Sequence, residues 1–249
     1  MNPCIVVLVA TRMEIEPFLE QAKVKNELLS SVKRPMIHVQ VAGHNIMVVI
    51  TGPGMVNTAQ ALTEAMERFK PKLVLQTGIA GVFDRAGIGV GDIGIADSET
   101  YIHTGIEKSE DEKPSPLPFD LVKGFPMTRL GQFPADPALA VKALRILKNG
   151  FSQDQCRVVK GPFITVSTIT ATDATAEKLF SAYNPCMEAM EGAASAQVAA
   201  LYKVDFMEIR GGSNRVGQRD KTDWNIPLGA KRASKGVFLF LKNGVNFEH

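Results

Sequence analysis

The sequence predicts an α/β fold of three layers, α/β/α, built around a central mixed sheet. Apolar runs of strand length alternate with stretches of helical periodicity along the chain. Glycine-bearing turns follow several of those runs, at Thr51-Gly-Pro-Gly54 and at Gly78-Ile-Ala-Gly81. The composition, 45% hydrophobic and 22% charged over 249 residues, supplies an ample core with no sign of disorder, so residues 1–249 are expected to form one domain.

Residues 4–10 read as a buried strand, and 13–22 as a helix whose first turn carries Glu14 and Glu16. Residues 36–42 and 46–50 are short apolar strands split by Gly43-His44-Asn45, a hairpin-like turn. The helix at 55–69 sets Ala59, Leu62, Met66 and Phe69 on one face and ends before Pro71. Residues 73–75 are the next strand, closed by the turn at 78–81, and Val90-Gly-Asp92 is a turn entering a strand that reaches residue 96.

Residues 103–126, rich in Pro and charge without periodicity, read as a long loop. Asp136 before Pro137 is a helix N-cap and first turn, and that helix runs to Asn149 with Gly150 as its stop. The β-branched stretch 163–170 is a strand and 175–180 a short helix. Glu191 then opens a small-residue helix, the apolar run 204–209 is a strand leading to Asn214, and 228–241 closes the chain as a helix.

A formal charge of +2 with scattered basic residues excludes a nucleic-acid footprint and points to a small solute. The longest clean apolar run, residues 4–10, falls far short of the ~20 residues that span a bilayer, and no basic segment precedes it as in a signal peptide. No membrane partner is expected, and the expected location is the cytoplasm. Cys4, Cys156 and Cys186 are odd in number and lack a CxxC pair, so they read as buried thiols. His38, His44, His103 and His249 lack metal spacing, and neither a metal nor a cofactor is expected.

Ligands in open α/β sheets lie beyond the carboxyl ends of strands, where this chain places Glu191 and Asn214. Each candidate also has a purely structural reading. The glycine turns serve as tight turns, as a sugar or water site, or as a phosphate cradle, although neither matches GxGxxG or GxxxxGK[ST]. Glu14 and Glu16 stabilise a helix dipole by about 0.3–1 kcal/mol each, or one of them serves a ligand. Glu188 reads as a strand-edge or solvent residue, Glu191 as a helix cap or a ligand, and Asn214 as a turn residue or a ligand. Trp224 is a core residue or a stacking platform.

Taken in order, Ala10-Thr-Arg-Met-Glu-Ile-Glu16, Thr51-Gly-Pro-Gly54, Thr77-Gly-Ile-Ala-Gly81, Val90-Gly-Asp92, Met190-Glu-Gly-Ala-Ala194 and Ile209-Arg-Gly-Gly-Ser-Asn214 resemble the nucleoside phosphorylase and nucleosidase superfamily. Ser213-Asn-Arg-Val-Gly-Gln-Arg-Asp220, with Trp224 beyond it, resembles the futalosine hydrolase branch. The resemblance implies hydrolysis of the N-ribosyl bond of futalosine, releasing hypoxanthine and dehypoxanthinyl futalosine in menaquinone biosynthesis. It implies that Glu16 activates the attacking water, a sensible role for a carboxylate facing an anomeric carbon. Glu191 would accept hydrogen bonds from the ribose hydroxyls and Met190 would pack on the sugar, while Phe163, Ile169 and Thr170 flank the base. Gly78 and Ile79 would line the site, and Trp224 or Tyr101 would stack on the aryl ring of the substrate. Arg215, Arg219, Lys221 and His103 are candidates for its aryl carboxylate. A homo-oligomer, with a dimer favoured, is also implied.

Two departures refine the resemblance. Methylthioadenosine and adenosylhomocysteine nucleosidases place an aspartate at the position of Asn214 to protonate adenine; an amide is no acid, but it donates to and accepts from a 6-oxopurine. Phosphorylases use an arginine before the turn occupied here by Gln76 and Ile79, so water is the expected nucleophile, with Arg12 keeping a phosphate-dependent 6-oxopurine reaction open. A nucleotide-binding module without turnover is the remaining alternative.

Overall fold

In the computed structural model, which describes residues 4–108, 113–217 and 220–245, side-chain alternation along the first strand divides the molecule. β1 (Ile5–Val9) turns Ile5, Val7 and Val9 into one apolar cluster and Val6 and Leu8 into another. Every one of these five residues is buried, as expected for a parallel strand covered on both faces.

The chain continues through α1 (Arg12–Leu19), β2 (Lys23–Leu29), β3 (Pro35–Val41), β4 (His44–Ile50), α2 (Met55–Phe69), β5 (Leu73–Val82) and β6 (Ile93–Tyr101). It then forms β7 (Gln132–Pro134), α3 (Pro137–Gly150), β8 (Val158–Thr165), α4 (Asp173–Tyr183), β9 (Met187–Ala189), α5 (Gly192–Tyr202), β10 (Asp205–Arg215) and α6 (Ile226–Asn243). Helices α1, α3 and α6 pack on one side of the sheet through Ile15, Phe18, Ala143, Leu147, Val237 and Phe240. Helices α2 and α5 cover the other through Leu62 and through Ala61, Ala65, Ala196 and Ala199, small side chains that let the two helices approach closely.

The sheet is mixed, in the order β10-β6-β8-β9-β5-β1-β4-β3-β2, with β7 beside β6. β10 also pairs with β5, so the arc from β10 to β5 closes on itself. Parallel pairing joins β1 to β4 and β5, and β10 to β5, whereas β10–β6 and β5–β9 are antiparallel. This closure carries the carboxyl ends of β1, β5 and β10 and the short β9 toward one cleft.

Several sequence expectations shift. Gly78-Ile-Ala-Gly81 is not a turn but the second half of β5, because β10 pairs along it from one side and β9 reaches Gly81 from the other. Backbone pairing on both edges overrides the local preference of glycine for turns. β10 likewise extends through Gly211, Gly212 and Asn214, with an irregularity between Gly212 and Asn214. The strand expected at 163–170 lies earlier, at Val158–Thr165, in parallel register with β6. Edge strand β2 carries no apolar strand signal in its sequence, because KVKNELL is mostly polar and exposed.

The helix anticipated from Asp136 is present, with Asp136 accepting from the Leu139 amide at 2.8 Å; such caps contribute about 1 kcal/mol. Residues 103–126 are largely irregular where described, with one isolated bridge between Ile106 and Ser115. Cys186 is buried, whereas Cys4 and Cys156 are only half-buried. Among the described residues, no helix is long and apolar enough to cross a membrane.

Candidate active site

A cleft of about 240 Å³ opens at the carboxyl ends of β1, β5 and β10. Ala10, Thr11 and Glu14 contribute from the first strand end, Ile79 to Gly81 from β5, and Ser213 and Asn214 from β10. Glu188, Met190 and Glu191 enter from β9 and its junction with α5, and Ile169 and Trp224 close the rim.

Glu14, not Glu16, is the carboxylate at the first strand end. Two residues apart on a helix means about 200° of rotation, so only one of the pair can face the cleft. Glu14 is 5% exposed and lines the cleft, whereas the Glu16 side chain is 48% exposed and pairs with Arg12 at 3.1 Å on the outer face. Glu14 Oε2 accepts from the Ile79 amide at 3.0 Å and Oε1 from Thr11 Oγ1 at 2.7 Å. Of the roughly four acceptor positions of a carboxylate, about two remain for a ligand or water. Gly78 lies beneath this group with φ +135°, and a β-carbon there would overlap Glu14 Oε2.

Glu191 is held by three donors. Its Oε1 accepts from the Gly54 amide at 2.9 Å, and its Oε2 from the Met190 amide at 3.3 Å and from Arg210 Nη2 at 3.1 Å. The Thr51-Gly-Pro-Gly54 turn thus presents its amide to a protein carboxylate rather than to a phosphate. About one acceptor position of Glu191 stays available. Arg210, 1% exposed, also donates from Nε to Glu208 at 2.7 Å and from Nη1 to the Ile79 carbonyl at 3.0 Å. Burial alone would lower its pKa, but Glu208 and Glu191 outweigh burial and hold the guanidinium charged, above its ordinary value.

Asn214 is fixed at both ends of its amide. Its Oδ1 accepts from Ser213 Oγ at 2.9 Å and its Nδ2 donates to the Arg215 carbonyl at 2.9 Å. One donor and one acceptor position remain. Met190, Ile79, Ile169 and Trp224 line the cleft as well, with Trp224 half-buried at its rim.

Other expected positions fall elsewhere. Phe163 is fully buried in the cluster of Ala96, Met187 and Ala189 and does not reach the cleft, because its side of β8 faces the core. Thr170 stands behind the wall, donating from its amide at 3.1 Å and its hydroxyl at 2.5 Å to Glu188. Glu188, read from the sequence as a strand-edge or solvent residue, is buried and lines the cleft. Arg215 is exposed and pairs with Asp84 at 2.9 Å, and the His103 ring packs on Tyr101 outside the cleft. Lys221 is exposed, and Arg219 and His249 lie outside the described residues. Arg12, the phosphate candidate, is paired with Glu16 and Glu27 at the surface.

Sequence reasoning passed over Arg210 and Glu208. Their signal was the two-residue spacing of opposite charges inside an apolar strand, which puts both side chains on one buried face.

The mixed three-layer architecture with a carboxylate-lined cleft at its strand ends is of the nucleoside phosphorylase and nucleosidase kind. The chain belongs to the phosphorylase superfamily, whose profile matches residues 4–242. It is 35% identical to a futalosine hydrolase of Acidothermus cellulolyticus over 196 residues, covering 78% of this chain and 74% of that protein. A 5'-methylthioadenosine/S-adenosylhomocysteine nucleosidase of Listeria welshimeri is 29% identical over 211 residues, covering 82% of this chain and 84% of the relative. In fold it is similar to the S-adenosylhomocysteine nucleosidase of Streptococcus pyogenes in complex with 5-methylthiotubericidin, with a TM-score of 0.82, 21% identity and 99% of each chain covered.

Proposed function

We propose that this protein is an N-ribosyl hydrolase that cleaves futalosine to hypoxanthine and dehypoxanthinyl futalosine in menaquinone biosynthesis, without metal or cofactor. The observation that carries the reading is Asn214, a neutral amide fixed at the end of β10 in the cleft that Glu14 and Glu191 also line. Glu14 takes a proton from water as the water oxygen bonds to C1′ of a ribosyl group with oxocarbenium character. The C1′–N bond breaks with its electron pair going to the base. Glu191 accepts from a ribose hydroxyl, and its charge makes that bond about twice as strong as a neutral one.

Asn214 donates to and accepts from the base but supplies no proton, which suits hypoxanthine as the leaving group better than adenine. A site matched by hydrogen bonds rejects the wrong base because its buried polar groups would be left unpaired. Arg210, the one cation lining the cleft among the described residues, is committed to Glu208, Glu191 and the Ile79 carbonyl, which favours water over phosphate as nucleophile.

The similarity to methylthioadenosine/adenosylhomocysteine nucleosidases supports a second reading, adenine release from 6-amino nucleosides by the same carboxylates. One assay separates them: futalosine, methylthioadenosine and inosine side by side, with and without phosphate. Hypoxanthine release from futalosine in phosphate-free buffer is expected. Turnover of methylthioadenosine alone would transfer the assignment, and inosine cleavage that requires phosphate would make the protein a phosphorylase.

A further inference from the structure

Behind Arg210, on the side away from the cleft, two carboxyl groups meet without a donor between them. Glu99 of β6 and Glu208 of β10 are both fully buried. Each has one oxygen anchored: Glu99 Oε2 accepts from Thr165 Oγ1 at 2.7 Å, and Glu208 Oε1 accepts from Arg210 Nε at 2.7 Å. The remaining oxygens, Glu99 Oε1 and Glu208 Oε2, have no hydrogen-bond partner among the described residues. Both converge on Gly192, where a β-carbon would overlap the two of them.

Two ionised carboxylates cannot face each other in a buried site, since each would lose hydration and gain only repulsion. One proton between the inner oxygens satisfies both. We propose that Glu99 and Glu208 share one proton across Gly192, and that this acid–carboxylate pair positions Arg210, and through it the Glu191 carboxylate, toward the ribose. The positioning role rests on the sugar-binding assignment of Glu191 above; the shared proton does not.

The bonding runs unbroken from the N-terminus of α5 to the cleft. The Ala193 amide donates to Thr165 Oγ1 at 2.8 Å, the Thr165 hydroxyl to Glu99, and the Glu99 acid to Glu208. Glu208 holds Arg210, and Arg210 holds Glu191. The direction of every bond is fixed, because Thr165 spends its only proton on Glu99 Oε2 and leaves Oε1 as the acid end. Arg210 stays charged and passes no proton, so the pair orients the site rather than feeding protons to the leaving base.

Burial, then the charge of Glu208 and a hydrogen bond to it, push the Glu99 carboxyl well above its ordinary range, with Thr165 and Arg210 opposing. The charged groups around it are Glu208 and Arg210 on β10, Glu191 at the start of α5 and Glu14 on α1. β8 contributes the neutral Thr165. A carboxyl whose folded pKa is raised holds its proton where the unfolded chain has released it. Its presence therefore lowers stability progressively as pH rises above the ordinary glutamate value of 4.5 toward the folded pKa.

E99Q fits the assigned geometry, its carbonyl accepting from Thr165 and its NH2 donating to Glu208; E99A removes the donor. Infrared difference spectra of the full-length protein at pH 7 are expected to show a protonated-carboxyl band in wild type that E99Q lacks. Thermal midpoints followed from pH 5 to 8 are expected to fall for wild type relative to E99Q. With futalosine, E99A is expected to lose at least tenfold in kcat/KM, and E99Q to recover most of that loss. A missing band together with parallel midpoint curves would overturn the shared proton. Equal losses in E99Q and folded E99A would overturn positioning by donation. Absence of futalosine turnover in wild type would defeat the futalosine reading while the spectra still decide the proton.

Discussion

The Glu14 carboxylate occupies the space that a side chain on Gly78 would fill. A β-carbon at Gly78 would overlap Glu14 Oε2 and lie 3.3 Å from Arg210 Nη1, and the backbone there has φ +135°. The neighbouring Ile79 then meets both groups, its amide donating to Glu14 and its carbonyl accepting from Arg210, each at 3.0 Å. One dipeptide of β5 thus places the proposed base beside the cation that holds Glu191, the carboxylate proposed to bind the sugar.

The first consequence concerns which glutamate works. Glu14→Gln is expected to lower kcat on futalosine by about 10²–10⁴-fold with KM little changed, the usual scale for loss of a general base. Glu16→Gln should leave kcat and KM at wild-type values, because Glu16 is exposed and bonded to Arg12 outside the cleft. Steady-state kinetics on both folded variants test the assignment; a larger loss in the Glu16 variant would return the role to that residue.

Gly78→Ala is expected to harm both stability and rate. Forcing a side chain into this backbone conformation costs about 1–3 kcal/mol, and the new methyl displaces Glu14 from the Ile79 amide. The urea midpoint should fall, and kcat measured well below that midpoint should fall as well. A variant that is destabilised yet fully active would show that Glu14 can act from another position.

Arg210 and Arg12 differ in what surrounds them, and their removal should differ accordingly. Arg210→Met leaves Glu208 and Glu191 buried without their cation, a change that costs about 3–5 kcal/mol in comparable buried pairs. Arg12 pairs with Glu16 and Glu27 at the surface, where screening limits such pairs to roughly 0–1 kcal/mol. Denaturant unfolding of Arg210→Met and Arg12→Ala measures the contrast, and similar losses would deny the buried cluster its stabilising role.

Local signals carried much of the fold. The Asp136-Pro137 start and the apolar face of residues 55–69 depend on neighbours in sequence, so they were readable there. The continuation of β5 through Gly78 and Gly81 was not, because it depends on β10 and β9, which arrive more than a hundred residues later. At the site, Glu191 and Asn214 stand at strand ends, a position that sequence reasoning reaches directly. The choice between Glu14 and Glu16 needed the helix phase relative to the sheet. Glu99 and Glu208 needed the tertiary packing, since they come from different strands, β6 and β10, and meet only at Gly192 of α5.

The last expectation concerns the base. Asn214 Nδ2 donates to the Arg215 carbonyl at 2.9 Å, so in Asn214→Asp a carboxylate oxygen would face a carbonyl oxygen, acceptor against acceptor. Only the protonated acid restores that bond, and a hydrogen bond made by the neutral form raises a carboxyl pKa. The variant therefore carries an acid beside the base at pH values where an ordinary aspartate is ionised. Its ratio of kcat/KM for methylthioadenosine to that for futalosine should rise above the wild-type ratio. That gain should disappear as pH climbs through the raised pKa, since the ionised side chain has no proton to donate and loses its contact with the Arg215 carbonyl. Competition assays with both nucleosides across the pH range measure the ratio directly, and a ratio unchanged from wild type at every pH would remove Asn214 as the residue that discriminates between the bases.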